Sequence, residues 1–227
     1  ILVANGIAEV LVGADGLLST PAVSNLIRQS KADGGIVLSA SHNPGGPGKD
    51  FGIKFNNASG SPAPESVTDA IYHQTQSITE YRRVELPAVK LAVGSQYRFL
   101  ETTIKVVDSV ADYAALMQQL FDFDRIKSAI AGGSLDLCFD AMHAVTGPYA
   151  RRIFGDLLGV DPVQLRNCTA LADFGGGHPD PNRVYARDLY EFMMTEQAPP
   201  LGAASDGDGD RNMIVGRGAF VSPSDSL

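Results

Sequence analysis

The period of apolar positions changes repeatedly along this chain, and each change predicts an element. Glu9-Val-Leu-Val12 is a short β-branched run ending in the turn Gly13 to Gly16, which predicts a strand. Ser19-Thr20-Pro21 offers a cap and a first-turn proline, and Ala22, Val23, Leu26 and Ile27 follow at helical spacing. Gly34-Gly-Ile-Val-Leu38 is an apolar run bounded by glycine and predicts a short buried strand. Pro44 to Asp50 is turn, Phe51-Gly-Ile-Lys-Phe55 alternates as a strand does, and Asn56 to Pro64 is loop. Glu65 to Tyr81 carries Val67, Ile71 and Ile78 at roughly helical spacing.

Composition shifts near residues 84–110. Val84 to Phe99 is β-branched and interrupted by Pro87 and Gly94, and Ile104-Lys-Val-Val107 predicts another strand. Asp108-Ser109 then caps a helix to about Phe121, with Val110, Tyr113, Ala114, Met117 and Leu120 on one side. A domain boundary placed there divides the chain into residues 1–107 and 108–227. Beyond it, Leu135 to Phe139 predicts a strand and Gly147 to Leu158 a helix. A short strand falls within Asp161 to Leu171, a glycine- and proline-rich loop over Asp173 to Asn182, and a helix over Ala186 to Met194. Leu201-Gly-Ala-Ala204 reads as a last buried strand. This alternation predicts an α/β protein of layered mixed sheets with helices on their faces.

The 227 residues suit one large domain or two modest ones, and 44% hydrophobic with 19% charged residues is ordinary for a core-forming protein. A net charge of −8 argues against a nucleic-acid partner, because phosphate backbones recruit basic faces. Cys138 and Cys168 form neither a disulfide framework nor a zinc motif, which favours a reduced, cytoplasmic setting. No apolar run approaches the ~20 residues of a membrane span, so a membrane is not an expected partner. Both ends read as interior to a longer chain: position 1 is isoleucine, and Ser222-Pro-Ser-Asp-Ser-Leu227 resembles a helix cap with no helix after it.

Two stretches carry candidate chemistry. In Ser39-Ala-Ser-His-Asn-Pro-Gly-Gly46 a serine and a histidine arrive where a strand gives way to an enforced turn, a place where rigid scaffolds present reactive groups. The bland alternative is an ordinary serine-rich loop. The second stretch, Ser205-Asp-Gly-Asp-Gly-Asp-Arg211, puts Asp206, Asp208 and Asp210 at i, i+2 and i+4. On a straight strand with ~3.3 Å rise per residue the outer two would lie ~13 Å apart, whereas a magnesium ion takes its oxygens at ~2.1 Å. The segment must therefore curl. Gly207 and Gly209 permit this by accepting positive φ and close backbone approach.

Three carboxylates with no sulfur or imidazole select a hard cation, magnesium before calcium or manganese. An EF-hand is rejected, because its glycine and glutamate positions hold Arg211 and Arg217. A merely solvated acidic turn is disfavoured, because like charges at the end of a buried strand repel unless an ion joins them. A serine beside such a site suggests phosphoryl chemistry, with a serine oxygen as covalent carrier. Arg211 suits a bidentate hold on phosphate, and His42 an acid, base or phosphate contact. Lys54 and Lys49 are nearby point charges. His178 is expected to brace its Gly/Pro loop, His143 to make a hydrogen bond at a strand end, and His73 to lie on a helix surface.

Together, Ser39 to Gly46, Phe51-Gly-Ile-Lys-Phe-Asn56 and Asp206 to Arg211 resemble the α-D-phosphohexomutases. Gly16-Leu-Leu-Ser-Thr-Pro-Ala-Val23, Val107-Asp-Ser-Val110, Phe139-Asp-Ala-Met-His143 and Asp173-Phe-Gly-Gly-Gly-His-Pro-Asp-Pro-Asn182 point to the phosphoglucomutase branch. The resemblance covers nearly the whole chain. It implies the end of the first domain and most of the second in a four-domain enzyme whose cleft collects one loop from each. It further implies that Ser41 carries the phosphoryl group and, with Asp206, Asp208 and Asp210, holds Mg2+. Arg211 would lie against the phosphate, and Lys54 and His42 would serve proton transfer or phosphate contact.

The implied reaction interconverts glucose 1-phosphate and glucose 6-phosphate through glucose 1,6-bisphosphate, with a small sugar phosphate as partner. The family's arginine-bearing N-terminal loop, sugar-recognition loop and phosphate-anchoring loop are absent from these residues, so this chain alone is expected to be inactive. Lys49 stands where relatives usually carry a small residue and reads as surface variation. The alternatives are a sibling mutase acting on mannose or glucosamine phosphates and a non-catalytic, phosphorylated metal-binding scaffold.

Overall fold

The computed structural model describes residues 1–222, so the cap-like motif running on to Leu227 lies outside the described residues. Strand β1 (Glu9–Gly13) leads through a 3-10 turn to helix α1 (Thr20–Ser30), which Ser19 caps by accepting the Ala22 N–H at 3.2 Å. Strands β2 (Gly34–Leu38) and β3 (Ile53–Asn57) form an antiparallel pair, and helix α2 (Glu65–Ser77) follows. Strands β4 (Gln96–Phe99) and β5 (Thr102–Val107) come next, with β1 parallel and β4 antiparallel to β5.

The expectations for this region need three corrections. β2 is a strand but is not buried: Val37 is, while Ile36 and Leu38 face outward, because β3 is its one paired neighbour among the described residues. β3 begins two residues later than the alternation at Phe51 suggested, and Phe51 is exposed loop. None of α2 is buried, so its apolar positions lie at the surface and the helix ends at Ser77 rather than Tyr81.

Asp108 caps the next helix by accepting the N–H groups of Val110 and Ala111 at 2.8 and 3.0 Å. That helix, α3 (Ala111–Leu120), is followed by α4 (Phe123–Ala131), which the sequence pattern was not read to contain, although Asp122 caps it through the Arg125 N–H. Strand β6 (Leu137–Asp140) is buried at every residue. Helix α5 (Gly147–Ala150) continues into a π-helical segment over Arg151–Leu157. Strand β7 (Leu165–Arg166), helix α6 (Arg187–Met193) and strand β8 (Leu201–Ser205) follow.

β8 is not the last strand. β9 (Asn212–Gly216) and β10 (Ala219–Val221) complete a five-stranded sheet in the order β10-β9-β8-β6-β7, parallel around β6 and antiparallel from β8 outward. The apolar runs Met213-Ile-Val215 and Ala219-Phe-Val221 are their signal.

This sheet is packed on both faces. Cys138, Leu189, Met193, Ala204 and Val215 fill one side, and Leu137, Phe139, Ala141, Ala150 and Val160 the other. Around β2 the packing is thinner: Val23, Ile27 and Val37, with Leu18 and Ala32 partly buried against them. A further cluster crosses between the two regions. Ala22 of α1 packs with Val110, Ala114 and Tyr149, whose ring stands edge-on to Tyr113 at 5.7 Å. The Tyr149 hydroxyl accepts the Ser19 N–H at 3.1 Å, tying the start of α1 to α5. This contact sets the first region against the second.

Candidate active site

Ser41 sits just past the end of β2 in the left-handed region, φ 59°, unusual for a residue with a Cβ. The Ser39 hydroxyl accepts its N–H at 2.8 Å, and the Asn43 N–H closes onto the Ala40 carbonyl at 3.1 Å. The loop lies tightly on Gly52, where a Cβ would come within 2.2 Å of the Ser39 carbonyl oxygen. Ser41 is thereby held, buried, with its hydroxyl aimed at the second region.

The aspartate motif turns out to be the hairpin connection from β8 to β9, closed by the Asp206 N–H on the Arg211 carbonyl at 3.1 Å. Oδ1 of Asp206 accepts three backbone N–H groups, those of Gly209, Asp210 and Arg211, at 3.0, 3.0 and 3.1 Å. One carboxylate thus curls the segment that carries the other two. Oxygens of Asp206, Asp208 and Asp210 all lie within 4.8 Å of one another, against the wide spacing of a straight strand. The two glycines divide the expected roles between them. Gly209 has φ +78°, but Gly207 does not need the left-handed region; a Cβ there would lie 2.2 Å from the Ser41 carbonyl oxygen. Gly207 is required for close approach of the two loops.

Ser41 Oγ lies 3.1 Å from Asp206 Oδ2 and 3.3 Å from Asp208 Oδ1, so its single proton has two acceptors. Arg211 Nη2 donates to the same Oγ at 3.2 Å. Its Nη1 lies 2.6 Å from His42 Nδ1; guanidinium has no acceptor, so Nδ1 accepts, which leaves Nε2 as the ring's N–H. Lys54 Nζ bridges Asp208 Oδ2 at 2.5 Å and Asp210 Oδ2 at 3.2 Å. Ser41, His42, Lys54, Arg211 and the three aspartates therefore converge on one site.

Thr20, which the sequence reading passed over except as part of a cap, also belongs here. Its hydroxyl donates to Asp208 Oδ2 at 2.8 Å and its N–H to the Asp208 carbonyl at 2.8 Å. The Pro21 helix start was its signal, but nothing local says what the helix start faces.

Burial pushes the Asp206 carboxyl up to about 6, helped by the negative charges of Asp208 and Asp210 and opposed by the backbone donors. Burial acts the same way on Asp208, but hydrogen bonds from Lys54 and Thr20 outweigh it and hold that carboxyl below its ordinary value. Burial pulls Lys54 down; its hydrogen bonds to and attraction by Asp208 and Asp210 prevail, leaving it above the usual lysine range. Lys54 is thus held as a cation by these two carboxylates. An all-oxygen cluster with two buried carboxylates is chemically suited to a hard divalent cation.

Two of the remaining histidines behave as expected: His143 Nδ1 meets the Thr169 carbonyl at 3.0 Å, and His73 is exposed on α2. His178 instead stacks on Tyr185, beyond its Gly/Pro loop, at 3.9 Å, and its Nδ1 is buried with no hydrogen-bond partner among the described residues. Lys49 is exposed. Cys138 and Cys168 are free thiols; burial raises both, Cys138 to about 11.

Models of the phosphoglucomutase/phosphomannomutase family match the chain twice, as α/β/α domain I over residues 1–82 and α/β/α domain II over residues 111–218. The chain belongs to this family. It is 56% identical to a phosphoglucomutase of Rhizobium radiobacter over 99% of its own length and 41% of that protein. It is 52% identical to a chloroplastic phosphoglucomutase of Arabidopsis thaliana over 98% of itself and 36% of that protein. The crystal structure of the exocytosis-sensitive phosphoprotein pp63/parafusin, a phosphoglucomutase from Paramecium in open form, superimposes with a TM-score of 0.92 at 48% identity, covering 98% of this chain and 43% of that one. The chain thus spans roughly two-fifths of the length of such relatives.

Proposed function

We propose that this chain supplies the phosphoryl-transfer half of a phosphoglucomutase, which interconverts glucose 1-phosphate and glucose 6-phosphate through glucose 1,6-bisphosphate. The observation that carries the reading is Ser41 Oγ, buried and held between Asp206, Asp208 and Arg211 at 3.1–3.3 Å. A serine whose hydroxyl meets carboxylates on one side and a guanidinium on the other can lose a proton and gain a phosphoryl group in one place.

Asp206, Asp208 and Asp210, with an oxygen of the phosphorylated Ser41, would hold Mg2+, which when bound offsets charge on the transferring phosphate oxygens. Ser41 Oγ attacks one phosphorus of the bisphosphate as the bond from that phosphorus to the sugar oxygen breaks; the Ser41 proton passes to the Asp206 and Asp208 oxygens it faces, and the sugar oxygen takes a proton from Lys54. In reverse, the sugar hydroxyl returns its proton to the Lys54 amine as its oxygen takes the phosphoryl group, and Ser41 Oγ recovers its proton from the carboxylates. Arg211 orients the phosphate, and its hold on His42 Nδ1 leaves the Nε2–H of that ring free to donate to a phosphate oxygen. Lys54, being protonated, provides counter-charge and a proton for the leaving oxygen.

By resemblance to the family, the loops that recognise the sugar and anchor its second phosphate have no counterpart in the stretches matched here, so the 227-residue chain alone is expected to show little or no turnover. A steady-state assay showing near-normal turnover by this chain would overturn that. The division into a serine-bearing domain over 1–107 and an aspartate-bearing domain over 108–227 belongs to the same reading. So does a cytoplasmic setting; relatives are named both cytoplasmic and chloroplastic.

The deciding experiment takes a protein of its relatives' length that carries this chain. It is incubated with Mg2+ and glucose 1,6-bisphosphate, then examined by intact mass and peptide mapping. One phosphoryl group on Ser41, lost in Ser41→Ala, is the expected result. Cation binding with no phosphate on Ser41 would leave a metal-binding scaffold in its place. Phosphate on Ser41 with turnover of mannose or glucosamine phosphates, and not glucose phosphates, would name a sibling mutase.

A further inference from the structure

We infer that Phe174 is a positioning residue for phosphoryl transfer, its ring holding the serine loop in register with the aspartate loop; the inference rests on the function proposed above. Phe174 reaches both loops at glycines. A Cβ on Gly45 would lie 2.8 Å from its Cε2, and a Cβ on Gly207 3.3 Å from its Cζ. Each loop therefore has a glycine at the point where this ring arrives. Pro179 adds a wall, 3.2 Å from the same Cβ position on Gly207.

The ring is mounted on the second region. The Phe174 N–H donates to the Leu171 carbonyl at 3.1 Å, and the Leu171 N–H to the His143 carbonyl at 2.9 Å, just beyond β6. Its backbone is left-handed, φ 54°, a conformation a bulky residue rarely adopts and glycine adopts freely. A phenylalanine here thus carries a local conformational cost that its ring contacts offset.

Two facts make this apolar wedge matter. The polar contacts between the loops run through Ser41 Oγ, the aspartates, Lys54 and Arg211, the same groups that must exchange partners when phosphate arrives. A hydrocarbon contact does not exchange. Both loops, moreover, border one open pocket of about 480 Å³, through Ser41 and Gly45 on one side and Gly207 and Asp208 on the other, with Phe174 in its wall. With the ring removed, the serine loop has room to shift against the aspartates.

The test uses the same longer protein and measures the rate of Ser41 phosphorylation by glucose 1,6-bisphosphate in a single turnover. It adds Mn2+ affinity as a probe of the aspartate loop and amide exchange over residues 41–46. Phe174→Ala is expected to slow transfer at least ~10-fold, in line with the cost of displacing a reacting group by about an ångström. Mn2+ affinity should hold within about threefold, with faster exchange at 41–46 and unchanged exchange at 206–211. Phe174→Gly relieves the backbone and should be as slow as the alanine variant, while Phe174→Leu, which refills most of the space and guards against misfolding of the smaller variants, should recover most of the rate.

Transfer to Ser41 in Phe174→Ala at a rate within twofold of the parent overturns the role of Phe174 and leaves the proposed function standing. A glycine variant as fast as the parent overturns it too. Absence of phosphate on Ser41 in the parent protein overturns the function, and this role with it.

Discussion

The two loops that meet at this site are held in opposite ways. The aspartate loop closes a hairpin of a five-stranded sheet packed on both faces, and Asp206 staples its own turn with three backbone N–H groups. The serine loop leaves a two-stranded ribbon whose outer residues Ile36, Leu38 and Ile53 are exposed, with a small cluster beneath. A short ribbon on few apolar contacts has little rigidity of its own. The serine is therefore placed by what it leans on: Gly207, Phe174 and the polar groups of the other region. Rigidity on one side and dependence on the other suit a group that must change partners during a reaction while its counter-charges stay fixed.

The largest effect that bears on this contrast is in the rigid half. Leu189→Ala empties a fully buried position against β8 and is expected to cost 2–5 kcal/mol, read as a lower denaturant midpoint. Ile27→Ala, which deletes as many carbons from the thin cluster, is expected to cost near the bottom of that range, about 2 kcal/mol. Equal losses from comparably sized deletions in the two clusters would erase the contrast.

Next comes the contact itself. Gly207→Ala sets a methyl 2.2 Å from the Ser41 carbonyl oxygen, forcing the loops apart, and should slow Ser41 phosphorylation on the order of 100-fold with the sheet intact. Single-turnover kinetics alongside circular dichroism would show it; normal transfer would mean the serine loop places itself.

Within the aspartate loop, Asp206→Asn is expected to weaken Mg2+ binding more than Asp210→Asn, by about tenfold, in titration calorimetry. Asp206 is fully buried, and the Asp210 side chain is one-third exposed. The reverse order would show that burial does not rank these ligands. The smallest effect is on α2: Ile71→Gln lies on an exposed helix and should shift stability by no more than about 0.5 kcal/mol.

Much of this was legible in the chain alone. The caps at Ser19 and Asp108 marked α1 and α3, and the chemistry of Ser41, His42, Lys54, Arg211 and the three aspartates was recognisable from residue type and spacing. Local rules suffice there, because a cap or a ligand set is written in a few adjacent residues.

What the chain did not disclose is relational. It allowed Gly207 positive φ or close backbone approach without showing that Ser41 is what approaches, and it read β2 as buried because an apolar run does not say how many neighbours it has. It stopped at β8, so the hairpin that curls the aspartates was invisible. Thr20 and Phe174 gained roles from groups 188 residues away in one case and from two separate loops in the other. Residue identity determined which chemistry was possible. Only long-range packing decided which groups stand within reach of Ser41, because proximity across 165 residues of chain is set by the summed burial of both regions and by no local pattern.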